Sequence, residues 1–419
     1  MKKNKNVPKI RFDGFEDEWK IYSLQELGNF KNGMNFSKDA MGIGFPFVNL
    51  QNIFGKNIID AENLDKALAS NQQLKDYSLN KGDVLFVRSS VKLEGVGEAA
   101  LVSDNLKDTT YSGFIIRFRD IYGMENNFKR FVFSTKPVRK QIISQSTNSA
   151  NKNISQSVLE KIKVSIPEKN EQQKIGNYFA NIDNLISLQK QKYEKLLDVK
   201  KAMLNKLFPR EGEATPEIRF NGFSGEWEEN VLGKIMEVTS VKRIHQKDWV
   251  KSGIPFLRAR DIVARSKNIS INDPIFITED KYIECISISG RVKVGDLLVT
   301  GVGTIGVPML IQNSQPIYFK DGNVIWFKNK NNIDPKFLFY SFYGNLIQKY
   351  IKISSGIGTV GTYTIESGKQ TPIKIPSSRD EQKAIGDYFS KLDKLIELNK
   401  EKLEKLKNVK SSLLDNMFV

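Results

Sequence analysis

Glu171-Gln172-Gln173-Lys174-Ile175-Gly176-Asn177-Tyr178-Phe179-Ala180-Asn181-Ile182-Asp183 and Glu381-Gln382-Lys383-Ala384-Ile385-Gly386-Asp387-Tyr388-Phe389-Ser390-Lys391-Leu392-Asp393 are one phrase written twice in a chain of 419 residues. Each copy follows an Ile-Pro, at Ile166-Pro167 and Ile375-Pro376. About half the positions from Glu171 to Phe208 recur between Glu381 and Phe418. An opening block repeats as well. Pro8-Lys9-Ile10-Arg11-Phe12-Asp13-Gly14-Phe15 returns as Pro216-Glu217-Ile218-Arg219-Phe220-Asn221-Gly222-Phe223, and both run on to Glu-Trp, at Glu18-Trp19 and Glu226-Trp227. Both repeats step by roughly 210 residues, so the sequence encodes two copies of one module.

Past each Ile-Pro the apolar residues fall at alternating three- and four-residue steps. Ile175, Phe179, Ile182, Ile186, Tyr193, Leu196, Met203 and Leu207 mark the first seam; Ile385, Phe389, Leu392, Ile396, Leu403, Leu406, Leu413 and Met417 mark the second. A heptad seam held this long predicts a long helix that packs as a coiled coil. Ile175, Phe179, Ile182, Ile186 and Leu196 are expected to pack with Ile385, Phe389, Leu392, Ile396 and Leu406. Two seam positions are polar in both copies, Gln189 with Asn399 and Lys200 with Lys410. Polar seam residues can fix register; for the lysines, a stem lying along the helix edge with its head in water is the favoured reading.

Between the helical blocks the two halves agree only in short runs. Phe45-Pro46-Phe47-Val48-Asn49 sets against Ile254-Pro255-Phe256-Leu257-Arg258, and Gly82-Asp83-Val84-Leu85-Phe86 against Gly295-Asp296-Leu297-Leu298-Val299. Gly113-Phe114-Ile115-Ile116-Arg117-Phe118 resembles Asn323-Val324-Ile325-Trp326-Phe327. These apolar and β-branched runs, bounded by Gly, Asp and Asn, read as strands. One scaffold carrying two different surfaces is the implication. The fold class is α+β, with two similar mixed α/β domains joined by two long antiparallel coiled-coil helices in a pseudo-two-fold repeat.

The bulk numbers restrict function. The formal charge is +16, which favours a polyanionic partner through counterion release. A Lys-rich proteome produces the same number, so charge alone does not decide. Cys285 is the single cysteine, which excludes an internal disulfide and a cysteine-based zinc site. No run of about 18 apolar residues occurs, so no membrane span is expected. The basic stretch Met1 to Arg11 lacks an apolar run behind it and does not read as a secretory signal. A cytoplasmic location fits.

The sequence carries no recognisable catalytic pattern. His245 is the only histidine, within the polar Lys242-Arg243-Ile244-His245-Gln246-Lys247. Any Ser-His-Asp or Cys-His site would have to use it. No P-loop and no Asn-Pro-Pro-Tyr-like methylase motif is present. Gly301-Val302-Gly303-Thr304-Ile305-Gly306 mimics a dinucleotide motif, but Val307-Pro308 follows where a helix should begin, so it reads as strand-turn-strand. Glu279-Asp280-Lys281 is the kind of short acidic-basic run that arises by chance in a Lys-rich chain. No catalytic residue and no metal ligand is assigned.

The repeated Arg-Phe-x-Gly-Phe-x-x-Glu-Trp opening, Ile254-Pro255-Phe256-Leu257-Arg258-Ala259-Arg260-Asp261-Ile262, Gly295-Asp296-Leu297-Leu298 and the Ile-Pro…Glu-Gln-x-x-Ile-Gly-x-Tyr-Phe blocks resemble the specificity subunits of type I restriction-modification systems. The resemblance covers essentially the whole chain in the family's order. It places a first target recognition domain at 1–165, a first conserved helix at 166–210, a second recognition domain at 211–374 and a second conserved helix at 375–419. The first domain has Asn52 where the second has Asp261. The resemblance implies that each recognition domain reads one half of a bipartite asymmetric sequence in double-stranded DNA. It also implies that the paired helices set the spacer and dock two methyltransferase subunits. S-adenosylmethionine would bind those subunits, ATP and magnesium the motor-nuclease subunits, and no cofactor this chain. About 38 helical residues span roughly 57 Å, the length of roughly 17 base pairs. That is a ceiling on the separation of two short half-sites, and two readers that differ need no palindrome.

Base reading needs Arg, Lys, Asn or Gln at groove edges, with Ser, Thr and Lys on phosphates. In the first domain the candidates are Asn49, Gln51 and Asn52 after a strand-like run, and Arg88, Ser89, Ser90 and Lys92 after the Gly82-Asp83 strand. Gln145, Thr147, Asn148, Asn151 and Lys152 form a donor-rich stretch, matched by Ser354, Ser355 and Thr359 upstream of the second Ile-Pro. The second domain adds Arg243, His245, Lys247, Arg258, Arg260, Arg265 and Thr304. Arg260 beside Asp261 could equally be a structural pair. Phe12, Gly14, Phe15 and Trp19, with Phe220, Gly222, Phe223 and Trp227, are assigned to packing, because elements reading different half-sites should differ. The rival reading is a tandem coiled-coil scaffold for protein partners that reads no DNA.

Overall fold

The structure is a computed structural model and describes residues 6–147, 151–356 and 361–419. The chain forms two compact units, Met1–Lys190 with Glu401–Val419, and Gln191–Lys400. Each unit therefore takes the first part of one long helix and the last part of the other, or the reverse.

Unit 1 carries the strands β1 (Lys20–Ser23), β2 (Gly28–Asn32), β3 (Met41–Val48), β4 (Asp65–Ala67), β5 (Val84–Val87), β6 (Ser89–Ser90), β7 (Ala99–Leu101), β8 (Thr110–Tyr111), β9 (Ile115–Asp120), β10 (Lys152–Asn153) and β11 (Lys163–Ile166). Its shorter helices include α1 (Asn126–Val132) and α2 (Lys136–Gln145), ahead of the long α3 (Lys169–Lys206). The central sheet has the order β2-β9-β5-β7, and a second has β4-β3-β8, where β3 and β8 run parallel. β5 is buried along its whole length. Its alternation sends Val84 and Phe86 into the core facing the helices, and Leu85 and Val87 into the core facing the second sheet. That alternation is why a short apolar run sits at the middle of the domain.

Unit 2 repeats the plan with β12 (Glu228–Val231), β13 (Glu237–Thr239), β14 (Ile254–Leu257), β15 (Ile275–Ile277), β16 (Leu297–Thr300), β17 (Pro308–Leu310), β18 (Tyr318–Phe319), β19 (Val324–Lys328) and β20 (Pro372–Ile375). The sheets are β13-β19-β16-β17 and β15-β14-β18, again with one parallel pair. Its helices include α4 (Ala259–Ser266), α5 (Pro335–Ser341), α6 (Asn345–Ser354) and the long α7 (Arg379–Met417). Gly301–Gly306 is the turn between antiparallel β16 and β17, the strand-turn-strand expected of it.

The repeated phrases meet each other in space. Arg11 of the opening block donates two hydrogen bonds to Glu171, at 2.7 and 2.8 Å, and Arg219 donates two to Glu381, both 2.7 Å. Glu171 is fully buried and Glu381 nearly so, which is why a bidentate cation is required there. Gln172 accepts from Glu125 N, ahead of α1, and donates to Pro167 O; Gln382 accepts from Asp334 N, ahead of α5, and donates to Pro376 O. A Cβ on Gly176 would stand 2.6 Å from Phe128 N, and one on Gly386 2.9 Å from Phe337 N, so only glycine lets these helices approach. Trp19 and Trp227 are buried and stack edgewise in aromatic clusters, as expected of packing residues.

Within each unit the long-helix segments run antiparallel. In unit 1, Phe179 lies 5.7 Å from Phe418 and Asp183 pairs with Lys410. In unit 2, Phe208 stacks on Phe389 and Lys200 pairs with Asp393. The seam positions Ile175, Phe179, Ile182, Ile385, Phe389, Leu392 and Ile396 are buried, and Ile186, Leu196 and Leu406 are half-buried. The lysines depart from the edge-lying expectation. Each ends on an aspartate of the other helix, and Lys200 lies over the Tyr340 and Tyr343 rings while Lys410 lies over Phe131.

Candidate nucleic-acid interface

In unit 1 two stretches far apart in sequence form one polar edge. Antiparallel pairing of β6 with β10 sets Ser90 against Lys152 and Ser89 against Asn153. Ile154 N donates to Arg88 O at 2.9 Å, and Thr147 N to Asn153 O at 2.9 Å. Arg88, Ser89, Ser90, Lys92, Thr147, Asn151 and Lys152 are thus brought together, with Gln145 exposed at the end of α2 leading into them. Asn148 lies outside the described residues. Arg88 projects from the end of β5, its guanidinium 3.4 Å from Gly113 O.

Within the Asn49–Asn52 segment, Asn52 departs from the expectation; Asn49 is half-buried and Gln51 exposed. Asn52 is 1% exposed. Its oxygen accepts from Asn49 N at 2.9 Å and its amide donates to the carbonyls of Asp60 and Asn63. A base-reading role for Asn52 is excluded, since every polar atom already serves the loop. Asn49 caps the turn by accepting from Leu50 N, and Gln51 donates to Asp65. The departure from the second copy disappears as well: Asp261 accepts from Arg258 N at 2.8 Å, the same cap made by a carboxylate in place of an amide.

In unit 2 a cleft of about 610 Å³ opens between the start of α4 and the Gly301–Gly306 turn. Arg258, Arg260 and Thr304 line it, joined by Trp249, Lys320 and Asn323. The structural partner of Asp261 is Arg258, which makes bonds of 2.8 and 3.0 Å to it and a third to Asp273 O. Arg260 stands 3.8 Å from the same carboxylate with 60% of its side chain exposed. Arg243 donates to Asp321 at 2.8 Å, and Lys320 stands 3.7 Å from Asp321, so this loop borders the cleft. His245 and Lys247 are exposed on the same loop. Arg265 points elsewhere: it lines a separate cleft within unit 2, beside Tyr193, Lys200 and Asp393.

Ser354 and Ser355 close α6, each hydroxyl donating to Ile351 O. Thr362 N donates to Ser355 O and Tyr363 N to Gly301 O at 2.9 Å, which ties this segment to the turn that carries Thr304. That last bond matches Ile154 N to Arg88 O in unit 1, so the two surfaces occupy equivalent places on the scaffold. Thr359 lies outside the described residues.

Reading by residue type missed the apolar members. Phe114 and Val91 are 58% and 79% exposed on the unit 1 edge. Arg88 N donates to Phe114 O, and in unit 2 Gly301 N donates to Asn323 O, both at 2.8 Å, so Phe114 and Asn323 hold the same place. The available signal was an aromatic residue directly after Ser112-Gly113, in a turn rather than within a strand.

Cys285 is buried and burial raises its thiol pKa, whereas His245 is exposed. Among the described residues no group of three or more His, Cys, Asp or Glu side chains gathers as a metal site, and no helix is long and apolar enough to cross a membrane.

The sequence profile of the type I restriction modification DNA specificity domain matches residues 16–198 and 224–408. A Methanocaldococcus jannaschii protein provisionally named as the MjaX type I restriction enzyme specificity subunit is 24% identical over 99% of this chain and 96% of its own length. The MjaVIII specificity subunit of the same organism is 26% identical over 68% of this chain and 67% of its own. A crystal structure of a type I restriction-modification S subunit from M. genitalium superposes with a TM-score of 0.58 at 16% identity, covering 99% of both chains.

Proposed function

The chain belongs to the type I restriction-modification DNA specificity family, and on that footing we propose that it is the sequence-reading subunit of such a complex. Two recognition domains, 1–165 and 211–374, each read one half of a bipartite asymmetric target in double-stranded DNA. The helices at 166–210 and 375–419 set the spacer and dock two methyltransferase subunits. This chain performs no chemistry; S-adenosylmethionine sits on the methyltransferase subunits, and ATP and magnesium on motor-nuclease subunits that join for cleavage. The complex works in the cytoplasm.

One observation carries the reading. The two units share one scaffold, the same order in their main sheets and one set of motif contacts, yet differ at equivalent places: exposed Arg88 stands where unit 2 has the buried Gly301, and exposed Phe114 where it has the half-buried Asn323. A scaffold for identical partners has no use for that difference; a reader of two unlike half-sites requires it. The proposed contacts in unit 1 are Arg88, Ser89, Ser90, Lys92, Gln145, Thr147, Asn151 and Lys152, and in unit 2 Arg243, His245, Lys247, Arg260 and Thr304; Arg258 is left out because it is committed to Asp261.

The test is methylation mapping. The chain is co-expressed with its methyltransferase subunit in a host lacking adenine methylation, and the DNA is sequenced with modification detection. A single bipartite motif with an unspecified spacer is expected, and replacing 225–371 should change only one half of it. If the proteins co-purify, the methyltransferase works with another specificity chain and no motif appears, sequence reading is wrong and the scaffold reading replaces it.

A further inference from the structure

Phe114 is 58% exposed in the middle of the donor-rich edge of unit 1, yet its backbone is held from several sides. Gly113 N donates to Met34 O and Ile115 N to Ser112 O, both at 2.8 Å; Phe114 N lies 3.3 Å from Ser112 Oγ; and Phe114 O accepts from Arg88 N at 2.8 Å. The ring is carried on a fixed turn rather than a loose loop. Among the described residues, no aromatic ring stacks on it. Arg88, whose backbone bonds Phe114, is exposed, as are Lys92 and, at 79%, Val91 on the same segment. A rigid apolar ring beside cations and hydroxyls matches a duplex, which offers phosphates to the cations and, where a step opens, base faces to the ring.

The counterpart in unit 2 strengthens the case. Asn323 uses the same carbonyl for the same bond, so the backbone task of this position is shared and only the side chain differs. Core positions at this turn keep their character, as Ile115 and Val324 do. A position whose backbone is fixed, and whose side chain changes from an exposed Phe to a half-buried, cleft-lining Asn, faces something that differs between the two half-sites.

We propose that Phe114 inserts its ring at a base step of the half-site read by unit 1, partly unstacking it, and that unit 2, with Asn323 in its place, reads its half-site without such a wedge. The inference rests on the function proposed above. Apolar side chains that enter a step in this way unstack the bases and kink the duplex, so Phe114 would select for deformable sequence as well as add contact.

The experiment uses the full-length chain assembled with its methyltransferase subunits, after its motif has been mapped. 2-Aminopurine is placed in turn at each position of both half-sites. In the wild-type complex, fluorescence is expected to rise at one step of the unit 1 half-site, apart from the adenine that becomes methylated, and at no such step of the unit 2 half-site. Phe114→Asn should abolish that rise and weaken target binding roughly tenfold, with the signal at the methylated adenine retained. Phe114→Leu, an apolar wedge of another shape, should keep most of the rise. A wild-type complex with a defined motif but no unstacked step in the unit 1 half-site overturns the wedge alone, whatever the variants do. So does a rise that Phe114→Asn leaves unchanged. A complex that yields no motif overturns the wedge together with the sequence-reading role.

Discussion

Lys410 Nζ lies 2.5 Å from Asp183 Oδ1, and the same carboxylate takes Arg130 at 2.7 Å and the Asn57 amide at 2.8 Å. Asp183 therefore joins the two long-helix segments of unit 1 to each other and to the recognition domain. Asp393 does less in unit 2, taking Lys200 at 2.5 Å and the Tyr340 hydroxyl at 2.8 Å. The two aspartates end the two copies of one motif, but Asp183 is 16% exposed and Asp393 is 37% exposed.

Asp183→Asn should accordingly be the more damaging of two formally equivalent changes. It leaves Arg130 half-buried without its counter-charge, at about 3 kcal/mol, whereas Asp393→Asn should cost about 1 kcal/mol, since solvent already screens that pair. Calorimetric unfolding of the two variants checks the order. Equal costs would mean that burial does not set the strength of these bridges.

Arg11→Ala and Arg219→Ala should each destabilise their own unit by about 3–5 kcal/mol, because each strands a buried glutamate. Lysine should restore only part of the loss, since it cannot repeat the two-pronged bond. Denaturant titration of Arg11→Ala, Arg11→Lys and Arg219→Ala measures this. Full rescue by lysine would contradict the bidentate geometry.

Gly176→Ala sets a gain against a loss. Alanine favours the helix by about 1 kcal/mol, but its methyl would stand 2.6 Å from a backbone nitrogen that cannot turn aside. Overpacking of this kind costs about 1–3 kcal/mol, occasionally more, so net destabilisation is expected. Thermal unfolding decides the sign; a stabilised variant would show that α1 can retreat.

Arg258 and Arg260 should separate cleanly. Arg258→Ala breaks two bonds to Asp261 and one to Asp273 O and should lower stability by about 1–3 kcal/mol. Arg260→Ala should leave stability within about 0.5 kcal/mol and weaken DNA binding. A uniform loss over all sequences, with a salt slope smaller by about 1, would make Arg260 a phosphate contact. A loss of about 1–3 kcal/mol confined to one base pair would make it a base contact. Binding measured across salt concentrations and single-base variants tells these apart, and no change in binding would remove Arg260 from the interface.

The sequence by itself determined the duplication, the seams of both long helices, the short strands and the family to which they point, because these are periodic or repeated features that need only neighbouring residues to be seen. It did not determine which candidates were available to a partner. Asn52 and Arg258 have the residue types of base readers, but folding turns them toward a loop and a cap. Phe114 has the residue type of a core position, but its turn leaves it outside. Nor could the sequence say why Arg11 recurs with Glu171, or Asp183 with Lys410, since those partners lie 160 and 227 positions apart (171 − 11 and 410 − 183). Repetition marks such residues as constrained. Only the packed structure supplies the constraint, because a buried charge or a close helix approach is a property of neighbours in space.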